Sequence, residues 1–241
     1  MDTAGYVALS RQSGLWKEMQ VVANTIANAS TAGYRAEGVV FAEMLQRADV
    51  IGRAVAFTEA RVRTTDPSPG PQTPTGGTFD VAIAGDGFFQ VETPAGLRLT
   101  RAGRFMPNPE GELVNPQGHR VLDQGGAPIF VPPDARSIAI APDGTFSADG
   151  QPLAAVGVVL PADGTSLTRE DGVLFRADGA VAPADAISIV QGFLEDSNVN
   201  AVAEITRMIT VQRAYEMGQR MAEREDQRAR DAIRLLGQIS S

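Results

Sequence analysis

The chain contains no cysteine, so neither disulfides nor thiolate metal sites hold it together and no thiol nucleophile exists. Lysine occurs once, at Lys17, which excludes a Gly-Lys-Ser/Thr phosphate loop and argues against Schiff-base chemistry. The single histidine, His119, lies in Pro116-Gln117-Gly118-His119-Arg120, a turn-rich setting that suits a turn or surface role better than a base or a ligand. No apolar run reaches the roughly twenty residues that a membrane-spanning helix needs. Asp2, Arg11, Lys17 and Glu18 interrupt the opening segment, so no cleaved export signal is expected there. Basic residues are also in the minority. The 29 acidic against 21 basic side chains give a net charge of -8 over 241 residues, and with no segregated basic patch this opposes binding to nucleic acid.

Helical patterning is present at both ends. Leu9, Trp16, Met19, Ala23 and Ile26 follow alternating steps of three and four residues, with Gln12 as the polar exception. Asn28, Ser30 and Gly33 then supply stop signals, which places the helix end near Asn28. After Ile187-Ser188-Ile189-Val190 a second helical pattern begins, with Ser197 and Asn198 as candidate caps and no proline beyond them. Its seam runs through Met208, Val211, Tyr215, Gly218, Ala222, Ala229, Ala232 and Leu236, broken once by Glu225. Between the ends, Asp66-Pro67-Ser68-Pro69-Gly70-Pro71-Gln72-Thr73-Pro74 reads as a linker or extended arm, because its prolines lack amide donors. From Phe79 onward, short β-favouring runs alternate with Gly, Pro and Asp turns. The expected fold class is α+β: long N- and C-terminal helices, forming a coiled-coil-like assembly domain, flank a central all-β domain. The expected segments are 1–35 (helical), 36–78 (extended arm), 79–194 (central β domain) and 195–241 (helical).

Two thin terminal helices whose seam is rich in Ala and Gly bury little surface against each other, whereas neighbouring copies can supply the rest. The terminal segments are therefore expected to order on assembly. The candidate assembly interface comprises Leu9, Trp16, Met19, Ala23 and Ile26 on the first helix, with Val202, Ile205, Met208, Ile209, Val211, Tyr215 and Ala222 on the second. The mixed charges of Glu223-Arg224-Glu225-Asp226-Gln227-Arg228 read as a solvated face.

Catalytic and ligand-binding readings are weaker. Asp80 and Asp86 beside Phe88-Phe89 offer carboxylates for a glycosidase-like pair, but no second motif fixes a nucleophile or a base. Gly85-Asp86-Gly87 has Gln90 where a dinucleotide fingerprint needs its third glycine. The recurring Asp-Gly pairs, such as Asp143-Gly144 and Asp163-Gly164, are irregularly spaced and read as tight turns, not calcium repeats. No enzyme activity, metal, cofactor or small-molecule substrate is expected. A monomeric β-rich binding domain, with Phe88 or Phe89 as a stacking face, is the alternative to assembly.

Three motifs in order connect these observations. Ala23-Asn24-Thr25-Ile26-Ala27-Asn28 with Thr31-Ala32-Gly33-Tyr34-Arg35 comes first. Phe79-Asp80-Val81-Ala82-Ile83-Ala84-Gly85-Asp86-Gly87-Phe88-Phe89-Gln90-Val91 with Leu99-Thr100-Arg101-Ala102-Gly103-Arg104-Phe105 follows, and Ser197-Asn198-Val199-Asn200 with Gln212-Arg213-Ala214-Tyr215-Glu216 closes the chain. The chain thereby resembles the bacterial flagellar basal-body rod and hook proteins. Thr25 stands where that family carries a second Asn, Ala32 where it carries Pro, and Leu99 where Tyr is common. The short length, the opening Met1-Asp2-Thr3-Ala4-Gly5-Tyr6 and a single modest β domain look most like the proximal-rod members, with the distal-rod members next. The resemblance implies terminal helices forming an inner tube, an outer β domain, torque transmission through the periplasm and export by the flagellar type III apparatus. It implies copies of itself and other rod proteins as partners, and places Asn24, Asn28, Asn198 and Tyr215 in subunit contacts.

Overall fold

A computed structural model describes residues 3–47, 54–184 and 188–239, and the chain divides into two compact units. The first collects residues distant in sequence: helix α1 (Thr3–Ala27), strands β1 (Glu37–Arg47) and β2 (Ala54–Thr65), and helix α2 (Ala201–Ile239). Strands β1 and β2 form a long antiparallel hairpin in register from Glu37 opposite Thr65 to Arg47 opposite Ala54, with one bulge between Val40 and Phe41. This hairpin occupies much of the span read as an extended arm. Helix α1 lies against both its strands and against α2.

Helix α2 starts one turn later than its expected caps. Asn200 is the residue that caps it: its side-chain oxygen accepts the Ala203 amide at 3.1 Å and its carbonyl accepts the Glu204 amide at 3.0 Å. Glu204 in the first turn suits the positive end of the helix dipole. Ser197 instead closes a local turn by accepting the Val199 amide, and Asn198 is engaged elsewhere.

The expected extended coiled coil does not form, although a helix near each end and a mainly β middle are present. Coiled-coil packing requires both helices to turn one heptad seam toward each other. On α1 the buried positions are Gly14, Val21, Val22 and Thr25, whereas the predicted seam residues Leu9, Trp16 and Ala23 are exposed. The hairpin is the physical reason. Helix α1 packs against three neighbouring elements, so its covered face is not a two-helix seam. At about 1.5 Å per residue, α2 with 39 residues also outruns the 25-residue α1 by roughly 20 Å.

The second unit comprises residues 28–36 and 67–199. Strand Phe88–Thr93 lies near the centre of its main sheet, paired with Gly96–Thr100, Arg120–Val121 and Val158–Pro161. Alternation along this strand sends Phe89 and Val91 inward, fully buried. The principal core gathers Phe89, Phe105, Leu113, Ile129, Phe146 and Val156 with neighbouring aliphatics, and a smaller cluster holds Leu99, Val159 and Phe175. Phe88 packs edge-on against Phe175 at 5.8 Å and Phe89 against Phe105 at 5.3 Å, so each of the adjacent phenylalanines meets a ring on its own side of the strand.

The ends of this unit close on each other. Gln72–Pro74 pairs with Phe193–Glu195, and Val81–Ile83 with Ile189–Gln191. Gly192, at φ +76°, makes the bend between the two C-terminal strands, and its amide donates to the Asp80 carbonyl. These long-range pairings bring the segment after β2 and the segment before α2 to the same edge of the unit.

Candidate assembly site

In the helical unit, α1 and α2 run antiparallel. Gln12 lies beside Gly218, where an added Cβ would be 3.6 Å from the Gln12 Cγ, and Trp16 lies beside Tyr215 with ring centroids 6.2 Å apart. Arg207 donates twice to one carboxylate oxygen of Glu18, at 2.9 and 3.0 Å. The covered face of α2 reads Ala201, Glu204, Met208, Val211, Tyr215 and Gly218, in steps of three and four, with Val211 fully buried. Of the sequence-predicted interface residues, Met208, Val211 and Tyr215 therefore face into the unit, with Met19 and Ile26 half-buried. Val202 (75% exposed), Ile205 (49%) and Ile209 (46%) lie on a different face of α2 that is open to solvent. Leu9, Trp16, Ala23, Asn24 and Ala222 are also exposed. Ala229, Ala232 and Leu236 lie outside the residues described at side-chain level. The structure thus divides the predicted interface into an inner set used within the chain and an outer apolar set left uncovered among the described residues.

In the β unit, the three sequence motifs converge on a buried ionic cluster. Glu195 accepts from Arg35 at 2.8 Å through one oxygen and from Arg101 at 2.5 Å through the other, with all three side chains at most 5% exposed. Arg101 spends its remaining donors on the carbonyls of Ile83, Gly85 and Gly87, which fixes the loop after strand Val81–Ile83. Arg35 also donates to the Pro67 carbonyl, and Glu195 accepts the Gly70 amide at 3.2 Å. The guanidinium of Arg169 stacks over Tyr34 at 4.3 Å and over Phe175 at 4.5 Å while donating to the Arg35 carbonyl.

Main-chain bonds complete this junction. The Gly33 amide donates to the Glu195 carbonyl at 2.7 Å, the Ala36 amide to the Asn198 side chain at 2.6 Å, and the Asn198 side chain to the Ser68 carbonyl at 2.8 Å. Asn28 sits in the turn that follows α1, where its carbonyl accepts the Thr31 amide. Gly33 is required here twice over: its φ is +71°, and a Cβ would fall 2.3 Å from the Ala102 nitrogen. Arg35 and Arg101 stand in the motifs, but their pairing through Glu195 was not read from the sequence. The available signal was the acidic pair Glu195-Asp196 just before Ser197-Asn198.

The other candidates have structural partners. Asp80 accepts from the Thr75 hydroxyl at 2.6 Å, and Asp86 lies in the bend after Ile83. His119 closes a turn in which its amide donates to the Asn115 side chain at 2.8 Å. Gly144, Gly150 and Gly164 follow their aspartates at positive φ, the geometry of tight turns. The carboxyls of Asp143, Asp149, Glu170 and Asp178 are held below their ordinary range and are all exposed. The first two accept backbone amides, Glu170 accepts from Arg98, and Asp178 accepts from the hydroxyls of Thr168 and Ser166. A cleft of about 640 Å³ between Phe79, Pro107, Val131, Pro132 and Ile138 carries Arg136 but no carboxylate on its wall. Among the described residues no helix is long and apolar enough to cross a membrane.

Residues 82–148 match the family model of the flagellar hook protein FlgE/F/G D1 domain, and residues 190–235 match that of the flagellar basal body rod FlgEFG protein C-terminal region. Among individual proteins, the chain is 39% identical to the flagellar basal-body rod protein FlgF of Caulobacter vibrioides and 37% identical to that of Mesorhizobium japonicum, in each case over the whole of both chains. It is 30% identical to the flagellar basal-body rod protein FlgG of Bacillus subtilis, over 95% of this chain and 97% of that one. The matched regions contain part of the β core, including Phe89, Phe105 and Phe146, and the covered face of α2, and full-length similarity extends to the motif after α1. The chain belongs to the flagellar basal-body rod protein family.

Proposed function

We propose that the chain is a structural subunit of the flagellar basal-body rod, in the proximal position, and that it assembles with copies of itself and with other rod proteins through its terminal helices. The observation that carries this reading is the end-to-end similarity to proteins named FlgF. The helices add physical support, since Val202, Ile205 and Ile209 form an uncovered apolar stripe at steps of three and four residues on α2. Burying such a stripe against a neighbour releases about 25 cal/mol per Å² of apolar surface. Repeated head-to-tail contacts of that kind build an open helical lattice, which shares torque among many small interfaces. Delivery by the flagellar type III export apparatus into the periplasm belongs to the same proposal.

The similarity to a FlgG protein across nearly the whole chain keeps a distal position as the second reading. Deleting the gene in its source bacterium, restoring it from a plasmid and imaging isolated basal bodies by electron microscopy tests both. Rods that stop short and are repaired by complementation support the structural role, and the point of arrest ranks the subunit along the axle. Complete, turning flagella formed without the gene refute it.

A further inference from the structure

Glu195, Arg35 and Arg101 belong wholly to the β unit. We propose that they act as a clasp: positioning residues that hold the segment leaving α1 beside the segment leading into α2, and so bring the two helices together for assembly. The inference rests on the rod reading for its purpose but on this geometry for its content.

Two features separate this cluster from ordinary core packing. A buried ion triad is by itself weak evidence of a stabilising role, and the unit already has a large apolar core. The triad does supply register. Arg101 is fixed to three carbonyls of one loop and to Glu195, and Glu195 in turn grips Arg35. The same two segments are tied again by the Gly33 amide to the Glu195 carbonyl and by the Ala36 amide to Asn198. Each tie joins residues about 160 positions apart in the chain, from Gly33 to Glu195 and from Ala36 to Asn198. None of the three arginine and glutamate side chains belongs to a helix, so the clasp is in place before the helices need to meet.

Its effect on the helices follows from loop closure. With the clasp shut, the stretches from Gln12 to Gly33 and from Glu195 to Gly218 together span about 44 residues. If every tie of residues 33–36 opens, including the Gly33 and Ala36 amides, the next tie of Glu195 is to Gly70 and the path lengthens to about 81, which sets the upper limit of the change for flexible chain. Closure probability scales as the −3/2 power of length, so the effective concentration of α1 at α2 falls roughly 2.5-fold if the ends behave as flexible chain. It falls further if the clasp also orients them.

The absence of native cysteine permits a direct measurement. Cysteines placed by Gln12→Cys and Gly218→Cys in the full-length chain are equilibrated with glutathione buffers, and the disulfide fraction gives the effective concentration whether or not the helices are ordered. Arg35→Met opens the clasp while leaving the Arg101–Glu195 pair neutral overall, and Asn198→Ala removes the second tie more gently. The expected result is a graded drop, below the roughly 2.5-fold limit in each single variant and largest when Arg35→Met and Asn198→Ala are combined, partly recovered with Arg35→Lys, while hydrogen exchange at Phe89, Val91 and Val121 stays at the unsubstituted level. An unchanged effective concentration in the combined variant, with the β core intact, overturns the clasp. Loss of β-core protection in Asn198→Ala also overturns it, because the junction would then be part of the core. Basal bodies purified from cells expressing Arg35→Met separate the two readings: a lowered effective concentration with normal incorporation upholds the clasp and refutes assembly through the helix pair.

Discussion

Replacing Glu195 by Gln preserves shape and removes one charge. It takes the Glu195 charge away from two buried cations, Arg35 and Arg101, since both side chains of each pair are at most 5% exposed. Breaking a buried pair by deleting one partner costs about 3–5 kcal/mol. The carbonyls around Arg101 and the Pro67 carbonyl beside Arg35 continue to accept hydrogen bonds, which argues for the lower end, about 3 kcal/mol. Converting all three residues to Met removes the uncompensated charge, yet it orphans those same carbonyls at about 1–3 kcal/mol apiece if they stay buried. The triple variant is therefore expected to be no more stable than the native chain, unlike ion triads replaced without leaving acceptors behind. The assay is urea unfolding of the β unit followed by hydrogen exchange at Phe89, Val91 and Val121. The only tryptophan, Trp16, sits in α1, so its fluorescence reports the helical unit separately and exposes any departure from two-state behaviour. A loss below about 1 kcal/mol for Glu195→Gln refutes the argument, because it would mean that water already reaches the two arginines.

Four further outcomes are expected. Gly33→Ala forces a Cβ to 2.3 Å from the Ala102 nitrogen at φ +71°, and should lower the β-unit stability by at least about 2 kcal/mol in urea unfolding. Thr25 is fully buried in α1 and its hydroxyl has no hydrogen-bond partner among the described residues; Thr25→Val should therefore be neutral or stabilising by about 1 kcal/mol, read by Trp16 fluorescence, and a loss of more than that would reveal a hidden partner. The Glu170 carboxyl, lowered first by its hydrogen bond from Arg98, and the Asp178 carboxyl, lowered first by Thr168, have folded pKa values below their unfolded ones. Their contribution is complete above the unfolded range near ~4 and disappears as pH falls through the folded values; Glu170→Gln with Asp178→Asn should flatten the acid limb of a stability-against-pH curve, and an unaltered limb would exclude them as its source. Ile209 is 46% exposed, so Ile209→Asp should change monomer stability by no more than about 0.5 kcal/mol while blocking incorporation into basal bodies by burying a charge at the contact; normal incorporation counts against that face.

Helix signals were legible because they are local. The stop after α1 lies at Ala27, beside the Asn28 read from sequence, and the proline-free run after Asn200 is one long helix. The cap of α2 was misplaced because Ser197, Asn198 and Asn200 all carry capping side chains, and only the long-range bond from the Ala36 amide removes Asn198 from the competition. The β1–β2 hairpin was not visible, since its strands alternate weakly and its packing against α1 leaves no local pattern in either segment. Glu195 presents the same difficulty in sharper form. It is one of two adjacent acids, Glu195 and Asp196, and nothing distinguishes it until pairing over more than ninety residues brings Arg101 to it and a second pairing brings Arg35.

The coiled-coil expectation failed for an instructive reason. Both Met208-Val211-Tyr215 and Val202-Ile205-Ile209 obey steps of three and four, and sequence alone merges them into one interface. At about 100° per residue the two sets lie roughly 120° apart around α2. The first set is covered within the chain and the second is not. A helix with one apolar stripe has to choose between stabilising its own subunit and joining the next; a helix with two does not. Val211, 4% exposed, and Ile209, 46% exposed, lie only two residues apart and separate the cases: Val211→Ala should cost the helical unit about 1–3 kcal/mol before any assembly occurs, whereas Ile209→Ala should leave the subunit nearly unchanged. If both substitutions instead destabilise the isolated subunit equally, the outer stripe is part of its own fold and the surface available to neighbours must be sought elsewhere on the chain.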